Sequence, residues 1–168
     1  KVVANLPYYI TTPIIMKLLE EENDIGLMVF MVQKEVAQRM TAAPGKKDYG
    51  ALSVAVQYYT KPEKAFDVPP HCFIPQPEVD STVIKLNVNE TPPVKLMDKD
   101  FFFMVVKAAF GQRRKTLVNA LYNFKGFQKT KEEIKEILNQ LGIDENARGE
   151  TLSISQFAEL SNLLFKCS

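Results

Sequence analysis

The run IGLMVFMV, positions 25–32, carries no polar side chain. It is far short of the roughly 20 apolar residues that cross a bilayer. It is also shorter than a fully buried helix, which takes roughly ten residues or more. A strand covered on both faces fits it best, and such strands belong to sheets flanked by helices on either side. This single stretch directs the chain toward an α/β architecture.

The segments around it agree. Lys1–Ala4 reads as a short strand. Thr12 as N-cap with Pro13 at the first helical position predicts a helix over Pro13–Glu22, with Ile14, Ile15, Leu18 and Leu19 on one face, broken by Asn23-Asp24. A second helix is expected at about Lys34–Thr41, then a polar loop, APGKKDYG, expected to be mobile. Leu52–Tyr59 fits either period and is assigned to a helix. Ala65–Val68 and Ser81–Val88 read as strands flanking a proline-rich connection. The order is βαβα with two closing strands, a sheet domain over residues 1–88.

NETPPVKLMDKD, residues 89–100, reads as a linker, and residues 101–168 as a helical domain. Phe101–Phe110 is apolar nearly all round. Arg114–Phe124 places Leu117, Val118, Leu121 and Tyr122 on one face. Thr130 with Glu133, and Ser153 with Gln156, have the spacing of capping boxes, and Gly142 is placed to stop the helix between them.

Charge is unevenly spread. The chain of 168 residues has a formal net charge of +1, yet Phe101–Lys131 holds seven basic residues and no acidic one. The remainder has 14 basic against 20 acidic residues, a net of −6. A local basic surface on an acidic body suits docking on a polyanion such as nucleic acid. One histidine and two distant cysteines, Cys72 and Cys167, argue against a zinc site, and no metal is expected. Two free thiols, no apolar run of membrane length and no leader-like start predict a cytoplasmic protein.

The stretch Asn5-Leu6-Pro7-Tyr8 leaves the C-terminal end of the first strand, where α/β folds place their ligands. Pro7 stiffens the backbone, Asn5 offers a carboxamide oxygen and Tyr8 a flat aromatic face. Acceptors beside a stacking platform suit a planar base with an exocyclic amine. Two acceptors holding its hydrogens favour the pyramidal form whose lone pair attacks an electrophile. A plain strand-to-helix turn with a packed tyrosine accounts for the same four residues.

Two further stretches bear on the choice. HCFIPQPEVDSTV, residues 71–83, and FGQRRKTL, residues 110–117, stand with NLPY in an order that resembles the ribosomal RNA adenine N6-dimethyltransferases. Within that family the resemblance is nearest to members acting on 16S rRNA. It implies the C-terminal half of a Rossmann-like methyltransferase sheet, from its fourth strand onward, followed by a small all-helical domain. It further implies S-adenosylmethionine as cofactor, the small ribosomal subunit as partner and two adjacent adenines as substrate. Asn5 and the Leu6 carbonyl would accept hydrogen bonds from the adenine N6, with Pro7 holding them. Asn5 would also approach the cofactor, and Tyr8 and Phe73 would sandwich the flipped base. Asp80 and Ser81 are assigned to backbone support and His71 to the surface, since a Ser/His/Asp site would need a nucleophile elbow that is absent.

Gln112-Arg113-Arg114-Lys115 is placed at a helix start, where basic groups oppose the dipole, so phosphate is the expected partner. Lys107 belongs to the same surface, and Lys34, Arg39, Lys46 and Lys47 are candidates to extend it. By the resemblance, the family's glycine-rich loop and cofactor-gripping acidic residues lie N-terminal to NLPY and have no counterpart here, and the seven glycines form no GxG. The chain thus reads as beginning inside a domain, with an incomplete cofactor site and no activity of its own. A non-catalytic ribosome-binding assembly factor and a 23S rRNA adenine methylase conferring macrolide resistance are the rival readings.

Overall fold

The computed structural model describes residues 1–21, 24–126 and 128–166. It divides into two compact units. Lys1–Ala42 with Leu52–Pro93 form the first, and Ala43–Ala51 with Val94–Ser168 the second.

Four strands make the sheet of the first unit, in the order β1 (Val2–Asn5), β2 (Leu27–Gln33), β4 (Ser81–Val88), β3 (Thr60–Val68). β1 runs parallel to β2, while β4 is antiparallel to both its neighbours. Three helices belong to this unit: α1 (Thr11–Glu20), α2 (Lys34–Thr41) and α3 (Ala51–Tyr59). Its core joins Ile15 and Leu19 of α1, Met28, Phe30 and Val32 of β2, Ala37 and Met40 of α2, Val56 of α3, and Ile84 and Leu86 of β4. β2 alternates buried with half-buried residues, so the cover on its second face is thinner than an unbroken apolar run suggests. β3 begins at Thr60, well before the expected Ala65, and is largely exposed. Its Lys61, Pro62, Glu63, Lys64 and Asp67 are the residues that blunt an edge strand.

The first helix starts earlier than its sequence suggests. Thr11, not Pro13, opens it, and Ile10 rather than Thr12 is the N-cap. The turn before it decides this. The Pro7 carbonyl accepts from Ile10 N at 3.1 Å and from Thr11 Oγ1 at 2.9 Å, which sets the first helical bend two residues upstream. α1 ends at Glu20, and the expected break at Asn23 lies outside the described residues.

The second unit contains α4 (Lys99–Gly111), α5 (Leu117–Tyr122), α6 (Lys131–Gln140) and α7 (Ile154–Lys166). Both capping boxes form. Thr130 and Glu133 exchange bonds, as do Ser153 and Gln156. Gly142 takes φ +65° just beyond α6, in the left-handed region that glycine enters without strain.

Residues 43–50, expected to be a mobile loop, are pinned. Tyr49 is fully buried, donates its hydroxyl to the Leu152 carbonyl at 2.9 Å and meets Phe110 edge-on at 5.9 Å between ring centroids. Gly45 N donates to the Glu150 carbonyl at 2.7 Å. A loop of polar residues is held here by one aromatic side chain that packs in the helical unit.

Candidate adenine pocket and basic turn

Register places the first site. Asn5 ends β1 opposite Met31 of β2, and two residues on, Gln33 pairs with Ser81 at the start of β4. β4 therefore begins at the edge of the sheet where β1 finishes. The connection 69–80, with prolines at 69, 70, 75 and 77, is delivered to that same edge. An open pocket of about 350 Å³ results, lined by Asn5, Leu6, Pro7, Tyr8, Phe73, Pro75 and Pro77. Its size falls in the range of small-molecule sites, roughly 300–1,000 Å³. All five residues singled out for base recognition thus line one concavity.

Within it, Asn5 is exposed and its carboxamide has no hydrogen-bond partner among the described residues. Leu6 lies one position past the last paired residue of β1. The Pro7 carbonyl is occupied by the α1 turn, so it is not an acceptor for a ligand. Tyr8 and Phe73 are half-buried, each with aromatic surface left over. A carboxamide without a protein partner and two aromatic rings in one pocket lining suit a flat, amine-bearing ligand.

Sequence reasoning missed what lies behind the pocket. The Tyr8 hydroxyl is hydrogen-bonded to Oγ of Ser81, which is fully buried. On one side of Ser81, the Asp80 carbonyl accepts from Lys34 N at 2.9 Å and its carboxylate from Lys34 Nζ at 3.3 Å. On the other, Thr82 Oγ1 donates to Asp67 at 2.6 Å. Asp80 and Ser81 therefore act through their side chains as well as their backbone. Lys34, a candidate phosphate contact, is instead engaged with Asp67 and Asp80, which raise its pKa. His71 sits exposed in a short 3-10 turn and touches none of this.

In the second unit, Gln112–Lys115 is not a helix start. The four residues form the turn between α4 and α5, and Thr116 is the true N-cap, its hydroxyl accepting from Asn119 N. The sequence signal was the Thr116/Asn119 spacing. Arg113 is held within the unit, donating to the Lys47 carbonyl at 2.7 Å and lying 3.6 Å from Glu150. Lys107, Gln112, Arg114 and Lys115 are exposed, and the turn itself encloses a shallow depression of about 340 Å³. No group of three or more potential metal ligands occurs among the described residues, and none of their helices is long and apolar enough to cross a membrane.

A strand-end pocket lined by Asn5, Tyr8 and Phe73 at the end of a mixed sheet with helices packed against it defines an α/β domain of Rossmann-like fold. Comparison with known proteins narrows the class. The model of the ribosomal RNA adenine dimethylase family matches residues 1–164, and the chain belongs to that family. It is 59% identical over 164 residues to a ribosomal RNA small subunit methyltransferase A from Clostridioides difficile (strain 630), covering 98% of this chain and 56% of the relative. It is 55% identical over 166 residues to the protein of that name from Alkaliphilus oremlandii (strain OhILAs), covering 99% and 58% respectively. The chain therefore spans little more than half the length of these curated relatives. Among solved structures, a dimethyladenosine transferase from Plasmodium falciparum superposes with a TM-score of 0.80 at 28% identity, over 95% of this chain and 65% of that one. The 23S rRNA methyltransferase ErmE shares the fold, with a TM-score of 0.67 at 22% identity, over 97% of this chain and 64% of its own.

Proposed function

We propose that this chain provides the adenine pocket and the rRNA-docking surface of an enzyme that dimethylates N6 of two adjacent adenines in small-subunit rRNA. The observation that carries this reading is the pocket itself. It gathers Asn5, Leu6, Tyr8 and Phe73 from two distant segments into one concavity with a carboxamide unengaged by the protein.

In this reading the target base leaves its stack and enters between Tyr8 and Phe73. The Asn5 carboxamide oxygen and the Leu6 carbonyl accept the two N6 hydrogens. That draws the nitrogen lone pair out of conjugation with the ring and aims it away from the two acceptors. Pro7 fixes the backbone that carries them, so the geometry is set before the base arrives. S-adenosylmethionine, when bound, would supply an electrophilic methyl group to that lone pair, its sulfur leaving as the neutral thioether while the N6 proton passes to water. Arg114, Lys115, Lys107 and Gln112 contact the phosphates of the docked hairpin, with Arg113 partly engaged by Glu150.

For the cofactor, Asn5 is the one residue assigned, and no two glycines stand in a GxG, so the site is read as incomplete. In this reading the chain by itself grips the base, does not hold the methyl donor tightly and leaves RNA unmethylated. Mass spectrometry of a small-subunit hairpin RNA tests both halves. This chain with cofactor should leave the RNA unmodified. A longer protein containing the chain should add methyls at N6, and its Asn5→Ala variant should lose that activity while keeping its affinity for RNA. Loss of RNA binding in that variant, with residual methylation in proportion, sinks the catalytic assignment.

A further inference from the structure

We infer that Ser81 is a positioning residue for base stacking, acting solely through the hydroxyl of Tyr8; this rests on the adenine reading above. Tyr8 belongs to the turn between β1 and α1, is half-buried, and its only polar handle is its hydroxyl. That hydroxyl is bonded to Ser81 Oγ, 73 positions along the chain. The two partners are held very differently. Ser81 is 0% exposed and paired on both sides, to Gln33 of β2 and to Val68 of β3. Each of its chain neighbours is separately tied, Asp80 to Lys34 and Thr82 to Asp67. Ser81 is thus a fixed post at the start of an interior strand paired on both sides, and the ring of Tyr8 is the part free to turn.

A phenol ring rotates about two side-chain torsions, and a stacking face is useful only in the plane the base will occupy. Anchoring the far end of the ring removes that freedom before binding, so the ordering cost does not fall on the complex. Phe73 has no such anchor, having no polar atom. The pair therefore consists of one wall anchored by a hydrogen bond, Tyr8, and one held by packing alone, Phe73. The Oγ of Ser81 touches neither base nor cofactor in this arrangement. Its effect travels through one hydrogen bond.

The test uses this chain and an RNA hairpin carrying 2-aminopurine at the target position, whose fluorescence reports unstacking and restacking against a protein ring. Because 2-aminopurine lacks the 6-amino group, it reports stacking separately from amine recognition. Ser81→Ala and Tyr8→Phe should each weaken binding roughly fivefold, the worth of one hydrogen bond, with similar changes in fluorescence. The double variant should be no weaker than either single one. Tyr8→Phe keeps the ring but takes the partner from the buried Ser81 Oγ, so a thermal melt of each variant is read beside its binding, and the shared loss of fluorescence response in folded protein carries the proposal. If Ser81→Ala binds as the parent does, or weakens binding further in the Tyr8→Phe background, the positioning role is wrong. A parent chain that gives no 2-aminopurine response at all overturns the adenine reading and this inference with it.

Discussion

Lys34 Nζ lies 2.9 Å from Asp67 Oδ2, joining the residue that follows β2 to the end of β3 across the intervening strand β4. Asp67 has a second partner in Thr82. The Thr82 hydroxyl lowers the Asp67 pKa through its hydrogen bond, and Lys34 lowers it through both a hydrogen bond and its charge. Thr82→Val and Lys34→Met should therefore each raise the carboxyl toward its ordinary value. NMR titration of the carboxyl carbon decides it, and a variant that leaves the pKa where it was would contradict its partner's role. A depressed carboxylate contributes stability that is present above its unfolded pKa and lost as pH falls through its folded one. Both variants should accordingly lose part of the acid-side decline in Tm seen in the parent chain.

Tyr8→Ala and Phe73→Ala should each weaken binding of a hairpin bearing the target adenine by roughly 5- to 150-fold. This is the equivalent of about 1–3 kcal/mol for one stacked base. Phe73 is half-buried, so its loss should change Tm little, whereas Tyr8→Ala also strips the buried Ser81 hydroxyl of its partner and should lower Tm. Fluorescence anisotropy at fixed salt, paired with a thermal melt, separates lost stacking from lost folding.

Arg114→Ala and Lys115→Ala should each reduce the slope of log K against log salt by close to one. Arg113→Ala should reduce it less, because that guanidinium already serves Glu150 and the Lys47 carbonyl. Its loss should instead show as faster amide exchange around Gly45–Lys47. Three equal reductions in slope would mean that Arg113 releases its protein partners to meet RNA.

Burial pushes the Tyr49 phenol up to about 12, and its hydroxyl donates to the Leu152 carbonyl. The protonated form is favoured in the folded state. The stability it contributes is complete below the unfolded pKa of about 10 and falls as pH rises toward 12. Tyr49→Phe should cost about 1 kcal/mol at neutral pH through the abandoned carbonyl. It should also flatten the loss of stability between these two pH values. Denaturant melts across that range measure both effects.

Two glycines should answer the same substitution with opposite signs. A Cβ on Gly149 would stand 3.0 Å from both the Cβ and the carbonyl oxygen of Ala109, so Gly149→Ala should cost about 1–3 kcal/mol. At Gly111, in the last turn of α4, the same Cβ meets nothing within 4 Å. Gly111→Ala should stabilise by up to about 1 kcal/mol through helix propensity. Equal effects at both positions would refute the packing account.

What could be read in advance was what neighbours along the chain decide. β4 spans the expected Ser81–Val88, and Thr130/Glu133 and Ser153/Gln156 cap as their spacing says, because each depends on residues three or four apart. NLPY and Phe73 were legible as a chemical pattern, and the β-ladder brings them to one pocket. The start of α1 was not, since the Pro7 carbonyl captures the turn before Thr12 can cap it. Nor was the role of Tyr49, whose partner is 103 positions away, or the bond between Tyr8 and Ser81, 73 positions apart. Nothing local in the chain distinguishes those hydroxyls from solvent-facing ones.

Residues 43–51 belong to the unit whose remaining residues begin only at Val94. A ribosome makes this chain from its N-terminus, at roughly 5–20 residues per second. Tyr49 therefore emerges several seconds before Leu152 exists to receive its hydroxyl. During that interval the segment lacks the helical partners it has in the folded unit. The helical unit thus takes up a piece delivered early. A single cut at residue 94 would yield a C-terminal half missing the side chain that fills its own core.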